Sequence, residues 1–219
     1  FQNGERLPSE IDPSQPSHYI AADRDKLGAR YSGKGNHDHD VGAVRANFPL
    51  PRFQRAFYFE ARVVSAGRDA SITVGLVGEG FPLNKQPGTE PESYGYRGNN
   101  GRVYGDSPRG REFGPSFSTD DTVGLGVKFS TREVFITLNG QLLGVAFRGA
   151  GNGCRPLYPS VSLHSPGEAV RVNFGQRPFL FDLGGFQVEE DGRRRAARLS
   201  VAVSPSLVRE LVRDYLMHQ

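Results

Sequence analysis

Hydrophobic and polar residues alternate in short segments from residue 18 to residue 174, which is typical of β-strands. The most informative segment is 133–147, where two alternating runs flank the dipeptide Asn139-Gly140. Both central residues of a type I′ turn need a positive φ, and Asn-Gly meets that need at the least steric cost. The residues that share the apolar face of the first run are Val134, Ile136 and Leu138, with Phe135 and Thr137 on the other face. We therefore predict a β-hairpin here, at the centre of an antiparallel sandwich.

The same pattern predicts a series of further strands, at residues 18–22, 28–31, 41–46, 57–64, 71–77, 93–96, 103–104, 122–129, 157–163 and 168–174. In the segment 57–64 we place the odd-numbered residues inward and Tyr58, Glu60 and Arg62 outward. Segments rich in Gly, Pro, Asn and Asp separate the strands, as in an all-β sandwich and unlike a parallel sheet. The predicted fold class is all-β: an antiparallel β-sandwich of two packed sheets with a short C-terminal α-helix.

The pattern changes after residue 186, so we divide the chain into four parts. Residues 1–15 form an extended lead-in, 16–186 the sandwich, 187–203 a charged linker and 204–219 a helix. Ser204 and Pro205 suit the N-cap and the first helical position. Residues at helical spacing form an apolar stripe: Leu207, Leu211, Tyr215 and Leu216. Because an isolated helix of this length is marginal, we expect the stripe to mediate association with another chain.

Composition narrows the classes of function. The 219 residues carry a net charge of +3, with no broad basic segment, so we expect no nucleic-acid partner. No run of apolar residues is long enough to span a bilayer, so we expect no membrane partner. Cys154 is the only cysteine, which excludes an intrachain disulfide and fits the cytoplasm or nucleus. The chain begins at Phe1 instead of Met, so we expect it to be a fragment of a longer protein.

The sequence contains only weak candidates for catalytic or metal-binding sites. Adjacent ligands in the segment 37–40 (His-Asp-His-Asp) would point to opposite sides of an extended chain, so a solvated loop is the better interpretation. Cys154 lies in a predicted loop and is interpreted as an unreactive thiol. Asp120-Asp121 falls in a turn, and no Gly-x-Ser-x-Gly motif is present. We predict no enzyme activity, no metal and no cofactor.

Several short motifs, taken in order, resemble landmarks of SPRY domains. They are Tyr58-Phe59-Glu60, Ser93-Tyr94-Gly95-Tyr96, Gly124-Leu125-Gly126-Val127, the Asn139-Gly140 hairpin, Leu157-Tyr158-Pro159 and Asn173-Phe174-Gly175. The segments 63–69, 87–88, 165–168 and 173–179 are similar to the Ran-binding-protein-M branch of this family. The branch tends to carry an aromatic residue after the Pro-Gly of its long loop, where this chain has Thr89. Residues 207–218 resemble the first helix of a LisH motif, whose Gly-Tyr turn and second helix would lie beyond Gln219.

The resemblance implies a non-enzymatic scaffold module of a CTLH (GID-type) ubiquitin ligase, which binds short peptide segments of partner or substrate proteins. It also implies sister subunits of the ligase as partners, and association through LisH in the full-length protein. The predicted peptide-binding residues lie on the loops 34–40 and 81–88, the turn 164–167 and the adjoining strand 93–96. They are Lys34, Asn36, His37, Phe81, Leu83, Asn84, Lys85, Gln86, Tyr94, Tyr96, His164, Ser165 and Pro166.

Two alternatives stay open at this point. The sandwich could pack against sister subunits without a peptide pocket. For Phe81 and Leu83, closing the end of the core is the alternative to lining the pocket. A carbohydrate-binding or hydrolytic sandwich is the other alternative, although sugar rings usually stack on aromatic side chains and the chain has no Trp. We expect polar groups such as those of Asn84, Gln86 and His164 to stay at the surface.

Overall fold

A computed structural model describes residues 6–15, 17–37, 39–51, 54–105, 109–151 and 155–202. The chain forms two compact units, residues 1–181 and 182–219, which are described separately below. In the described residues the first unit contains thirteen strands. Their bounds are β1 Ile20–Ala22, β2 Gly28–Tyr31, β3 Gly42–Arg45, β4 Ala56–Ala66, β5 Thr73–Gly78, β6 Tyr94–Arg97, β7 Arg102–Tyr104, β8 Arg111–Glu112, β9 Thr122–Lys128, β10 Glu133–Leu138, β11 Gln141–Arg148, β12 Leu157–Leu163 and β13 Glu168–Asn173.

The strands form two antiparallel sheets, which confirms the predicted all-β sandwich. The seven-stranded sheet has the order β1-β2-β13-β4-β9-β10-β11, and the six-stranded sheet has the order β3-β12-β5-β6-β7-β8. The largest fully buried side chains between the sheets include Phe59, Leu76, Tyr96, Leu125 and Leu163. These residues come from both sheets, so the core is a single apolar layer between them.

The predicted hairpin exists, but it lies at the edge of the sheet and not at its centre. β10 and β11 pair around Asn139 and Gly140, whose φ angles of 51° and 77° are those that a type I′ turn requires. Asn139 also links the turn to its neighbour: its Nδ2 donates to Asp121 at 2.8 Å and its Oδ1 accepts from the Thr122 N–H at 2.8 Å. β11 is the last strand of the seven-stranded sheet. Local alternation predicts that β11 pairs with β10, but it does not predict the strand order beyond that pair.

The exposed edge of β11 is irregular. Its pairing with β10 shifts register between Val134 and Phe135 and again between Ile136 and Thr137. The Arg111 guanidinium, which belongs to β8 of the other sheet, donates to the Ala146 carbonyl of β11. Two irregularities and one occupied carbonyl therefore interrupt the row of free backbone groups that an edge strand presents.

Residues 179–181 cover part of the outer face of the seven-stranded sheet; they end the segment 174–181, which we call the C-terminal strap. Tyr58 and Glu60, predicted to point to solvent, are only 3% and 4% exposed. Phe181 of the strap lies over Tyr58, with ring centroids 5.5 Å apart, and Phe179 meets the same ring edge-on at 4.9 Å. The prediction that these two β4 residues are exposed is therefore wrong, since a remote segment covers them. Arg62, predicted outward in the same strand, is exposed.

Glu60 fixes the strap by hydrogen bonds. Its Oε1 accepts from the backbone N–H groups of Leu180 and Phe181 at 2.9 and 3.2 Å, and from the Tyr58 hydroxyl at 3.0 Å. The Tyr58 hydroxyl also lies 2.7 Å from Thr137 Oγ1. Burial raises the pKa of Tyr58, so the phenol stays neutral and keeps its proton for these bonds.

The outer face of the six-stranded sheet is covered by the long loop between β5 and β6. Phe81 joins Ala43, Val77 and Tyr158 in a second apolar cluster, against which Leu83 packs. Further along the loop, Pro87 approaches the glycines of β5 and β6 so closely that a Cβ on Gly75 would lie 2.7 Å from it. The loop therefore lies across the sheet instead of projecting from it.

The second unit contains a helix where a charged linker was predicted. α1 spans Leu183–Ala202, so the segment 187–198 is helical. This segment is rich in strong helix formers, namely Glu, Arg, Ala and Leu. Arg193 also pairs with Glu189 at 3.4 Å and with Glu190 at 3.7 Å, at helical spacing. The high charge of the segment was therefore not evidence for a linker. No helix in the described part of the chain is long and apolar enough to cross a membrane. The predicted helix 204–219, with Leu207, Leu211, Tyr215 and Leu216, lies outside the described residues, and the predicted domain boundaries stay a prediction.

Candidate functional site

Three connections meet at the end of the sandwich where β3 begins and β12 ends. They are the loop 34–40, the turn 67–70 after β4, and the turn 164–167 after β12. His164 Nε2 lies 3.3 Å from the His37 carbonyl oxygen. Arg68 joins all three, because its backbone N–H donates to the Pro166 carbonyl at 3.1 Å and its Nη2 donates to the Gly35 carbonyl at 2.9 Å. We call the surface formed by these three connections and by the loop 81–88, described below, the loop end.

A buried carboxylate lies beneath the loop end. Glu168, the first residue of β13, is 1% exposed and accepts four hydrogen bonds. Its Oε1 accepts from the Ser71 N–H at 2.7 Å and from the Ser165 hydroxyl at 2.8 Å. Its Oε2 accepts from the N–H groups of His164 at 2.6 Å and of Ser165 at 3.0 Å. The Ser165 Oγ accepts in turn from the Asp69 N–H at 3.0 Å.

The loop 81–88 reaches the same end from the outer face of the six-stranded sheet. Its Leu83 carbonyl accepts from the Ala43 N–H at 2.8 Å, which fixes the loop against β3. Gln86 Nε2 donates to the Ser71 carbonyl at 3.2 Å and lies 3.3 Å from Ser71 Oγ. The Ser71 N–H in turn donates to Glu168. Ser71 therefore links the loop 81–88 to the carboxylate that bonds the other connections.

The loop 34–40 is held by Asp40 and two tyrosines. Asp40 Oδ2 accepts from the Asn36 N–H at 3.0 Å and from the His37 N–H at 3.3 Å. The Tyr19 hydroxyl donates to Asp40 Oδ1 at 3.2 Å, and the negative charge of Asp40 raises the pKa of Tyr19. The Tyr31 hydroxyl donates to the Asp40 carbonyl at 2.5 Å. The loop is therefore ordered by bonds that leave the side chains of Lys34, Asn36 and His37 exposed to solvent.

The predicted site residues divide into an exposed group and a buried group. The exposed side chains are Lys34, Asn36, His37, Asn84 and Lys85. The half-buried side chains are Leu83, Tyr94, His164 and Pro166. The buried side chains are Phe81, Gln86, Tyr96 and Ser165. The last group supports the surface from below and is not available for contact with a partner.

Two of the buried residues correct the sequence-based reasoning. Gln86 was expected at the surface because of its amide, but it is 9% exposed and its amide bonds Ser71. Tyr96 is fully buried, and its hydroxyl donates to the backbone carbonyl of Pro115, in the connection between β8 and β9. In both cases an internal acceptor satisfies the polar group, which removes the reason for exposure.

The charges at the loop end are largely paired. Arg68 donates to Asp69 through Nε and Nη2, and this hydrogen bonding holds the pKa of Asp69 below its ordinary value. Lys85 is paired with Glu90. The rings of His37 and His39 stack, with centroids 6.3 Å apart. Within the described ranges no group of three or more His, Cys, Asp or Glu side chains could hold a metal ion, and Asp38 lies outside these ranges.

Glu168 was not among the predicted site residues, although the alternation of β13 contained the signal. Glu168, Val170 and Val172 share one face of this strand by period two. A carboxylate on the apolar face of a predicted strand means either that the strand prediction is wrong or that the carboxylate is hydrogen-bonded inside the protein. Glu168 is hydrogen-bonded inside the protein. The contribution of Arg68 and Asp69 was likewise missed, because their turn is brought to the loop end only by the fold.

Comparison with known proteins gives a consistent result. Residues 56–177 match the family model described as the SPRY domain. The chain is 36% identical over 216 residues to the Ran-binding protein M homolog of Arabidopsis thaliana, covering 98% of this chain and 46% of that protein. It is 38% identical over 183 residues to Ran-binding protein 9 of Homo sapiens, covering 84% of this chain and 25% of that protein. The chain thus spans less than half the length of either relative.

Solved structures agree with the sequence comparison. A crystal structure of a human SPRY domain superposes with a TM-score of 0.64 at 30% identity, covering 75% of this chain and 100% of that chain. The SPRY domain of human HERC1 superposes with a TM-score of 0.61 at 18% identity, covering 77% of this chain and 99% of that chain, which supports the fold. The two-sheet architecture, the ordered motifs and these matches lead to one conclusion: the chain belongs to the SPRY domain family and resembles its Ran-binding protein M and 9 members.

Proposed function

We propose that the chain captures short, extended peptide segments of other proteins at the loop end. SPRY domains mediate protein–protein interactions, and the family membership supports a function of this kind. The observation that carries the proposal is the arrangement of the loop end itself. Exposed polar side chains from separate connections, among them Asn36, His37 and Asn84, stand on a frame of internal hydrogen bonds.

Such an arrangement suits peptide capture for two reasons. Amide and imidazole groups can donate to and accept from a peptide backbone, which gives orientation as well as affinity. The frame beneath them is already formed, so binding costs little further loss of loop entropy. Half-buried Leu83 and Pro166 add small apolar contacts to the polar rim.

The wider context of the proposal comes from the relatives. We infer that the chain serves as the interaction module of a scaffold in a CTLH (GID-type) ubiquitin ligase, acting in the cytoplasm or nucleus. The similarity to Ran-binding protein M and 9, which extends over most of this chain, supports this assignment. In that assembly residues 204–219 would begin a LisH motif and contact sister subunits.

The test begins with selection of short random peptides displayed on phage against the purified chain. Binding of the enriched peptides is then measured by calorimetry, and the contacted residues are located by NMR. Asn84→Ala and His37→Ala should each weaken binding severalfold, since both remove exposed polar groups from the loop end. Glu79→Ala is the matched control, because Glu79 is exposed at the opposite end of the six-stranded sheet, beside the end of β5.

The outcomes separate the alternatives. Peptide-induced shifts confined to the loop end and loss of affinity in the two variants would support the proposal. Enriched peptides that contact another surface would refute it. A selection that enriches nothing, together with capture of sister subunits by the folded chain, would favour the purely structural role.

A further inference from the structure

We propose that Glu168 is the positioning residue of the loop end: its carboxylate holds the separate connections in the one arrangement that accepts a peptide. The inference rests on the proposed function for its binding consequence, whereas its structural part concerns the free protein. Glu168 itself is buried, so it acts through the residues that it bonds.

Both oxygens of the Glu168 carboxylate are fully hydrogen-bonded. A carboxylate has two oxygens, and each oxygen of Glu168 accepts two hydrogen bonds. Three of the four donors are backbone N–H groups and the fourth is the Ser165 hydroxyl. Backbone donors fix the path of the chain and not only the orientation of a side chain, so Glu168 determines where the connections run.

The donors to Glu168 come from separate connections. His164 and Ser165 belong to the turn after β12, whereas Ser71 follows the turn after β4. Ser165 passes the constraint to Asp69, and Ser71 passes it to Gln86 of the long loop. One carboxylate is therefore connected, directly or through one residue, to elements far apart in sequence.

The loop 34–40 is added through the residues that Glu168 fixes. His164, whose N–H bonds Glu168, places its Nε2 3.3 Å from the His37 carbonyl oxygen. Pro166 lies in the same turn, and a Cβ on Gly35 would come within 2.7 Å of its ring. Displacement of this turn would therefore also displace the loop that carries Lys34, Asn36 and His37.

Burial of the Glu168 carboxylate carries a cost in desolvation free energy. Removal of a carboxylate from water is expensive, and well-packed apolar residues often stabilise a fold at least as well as a buried charge. A charged residue on the inner face of β13, beside Val170 and Val172, is therefore a poor choice for stability alone. Its bonding pattern fits a role in selecting one conformation of the connections.

The structure supplies a matched control. Glu60 is the other buried glutamate in the described residues, and it also accepts a hydroxyl and backbone N–H groups. Its partners belong to β4 and the C-terminal strap, not to the loop end. A second control, Phe181→Ala, loosens the strap without touching any group at the loop end.

The experiment compares Glu168→Gln, Glu60→Gln and Phe181→Ala with the wild-type chain. In Glu168→Gln an NH₂ group replaces one carboxylate oxygen, so a hydrogen-bond donor faces the two donors that this oxygen accepted from, and both bonds are lost. Amide hydrogen exchange measured by NMR should therefore rise at least tenfold at Ser71, His164 and Ser165 in Glu168→Gln. The rise is judged in every variant against core amides remote from the loop end, which report the loss of global stability, and the two controls should show no excess at these three amides.

The same variants are then titrated with the tightest peptide selected on the wild-type chain, under conditions in which each variant is fully folded. Glu168→Gln should lose about tenfold or more in affinity, and the controls should bind as the wild type does. Protected loop-end amides in Glu168→Gln would overturn the positioning role, and so would faster exchange with unchanged affinity. If no peptide binds the wild type but exchange rises as expected, the proposed function fails while the positioning role stands.

Discussion

The strap over the seven-stranded sheet predicts a large effect for one substitution. Phe181→Ala removes a side chain that is only 8% exposed and lies against Tyr58 and Phe135, with centroid distances of 5.5 and 6.0 Å. Truncation of a buried Phe to Ala costs about 3–5 kcal/mol in protein cores, and a site beneath a single segment of chain belongs near the lower value. We expect a loss of about 3 kcal/mol in the free energy of unfolding, and a fall in Tm of roughly 6–12 °C for a chain of this size.

The assay is urea unfolding followed by circular dichroism and by tyrosine fluorescence, since the chain has no Trp. Leu180→Ala is the control, because Leu180 is the preceding residue of the strap but is 63% exposed. Its loss should stay within about 0.5 kcal/mol. Equal, small effects of the two substitutions would refute the conclusion that the strap is packed on the sheet.

Two further predictions concern the hairpin turn and the acid limb of stability. Asn139→Ala should destabilise the chain more than Asn139→Gly in the same urea assay. Both variants lose the side-chain hydrogen bonds of Asn139, but Ala also has to adopt a positive φ, which costs about 1 kcal/mol or more. Equal losses of stability in the two variants would contradict this prediction. Hydrogen bonding from Arg171 holds the pKa of Asp25 below its ordinary value near 3.8. A depressed folded-state pKa means that the unfolded chain takes up the proton first, so this contribution is present above pH about 4 and lost as the pH falls through the folded value. Asp25→Asn should flatten the fall in stability over that range, and an unchanged acid limb in pH-dependent unfolding would refute the pairing.

Much of the fold could be predicted from local alternation, and its limits are instructive. The strand segments, the Asn139-Gly140 turn and the antiparallel sandwich are confirmed, because period two and turn chemistry are local properties. The exposure predicted for Tyr58 and Glu60 is wrong, because their cover comes from residues far away in sequence. The prediction that the hairpin lies at the centre is also wrong, because the strand order depends on pairing between segments far apart in sequence.

The candidate site was less accessible to sequence reasoning. The loops that carry Asn36 and Asn84 could be found from their polar, glycine-rich composition, and both residues are exposed. Which polar groups are buried depends on acceptors supplied by the fold, as the bond from Gln86 to Ser71 shows. In the second unit, the charged segment was interpreted as a linker because its helix-forming composition was given less weight than its charge.

The contact between Arg111 and the Ala146 carbonyl has a consequence for solubility. Sandwich proteins that display a regular, unpaired outermost strand can add a strand from a second molecule and grow into aggregates. Here the guanidinium from the opposite sheet occupies an acceptor that an incoming strand would need, and the two irregular pairings distort the remaining ones. The β11 edge of the seven-stranded sheet is therefore poorly suited to strand addition by a second molecule.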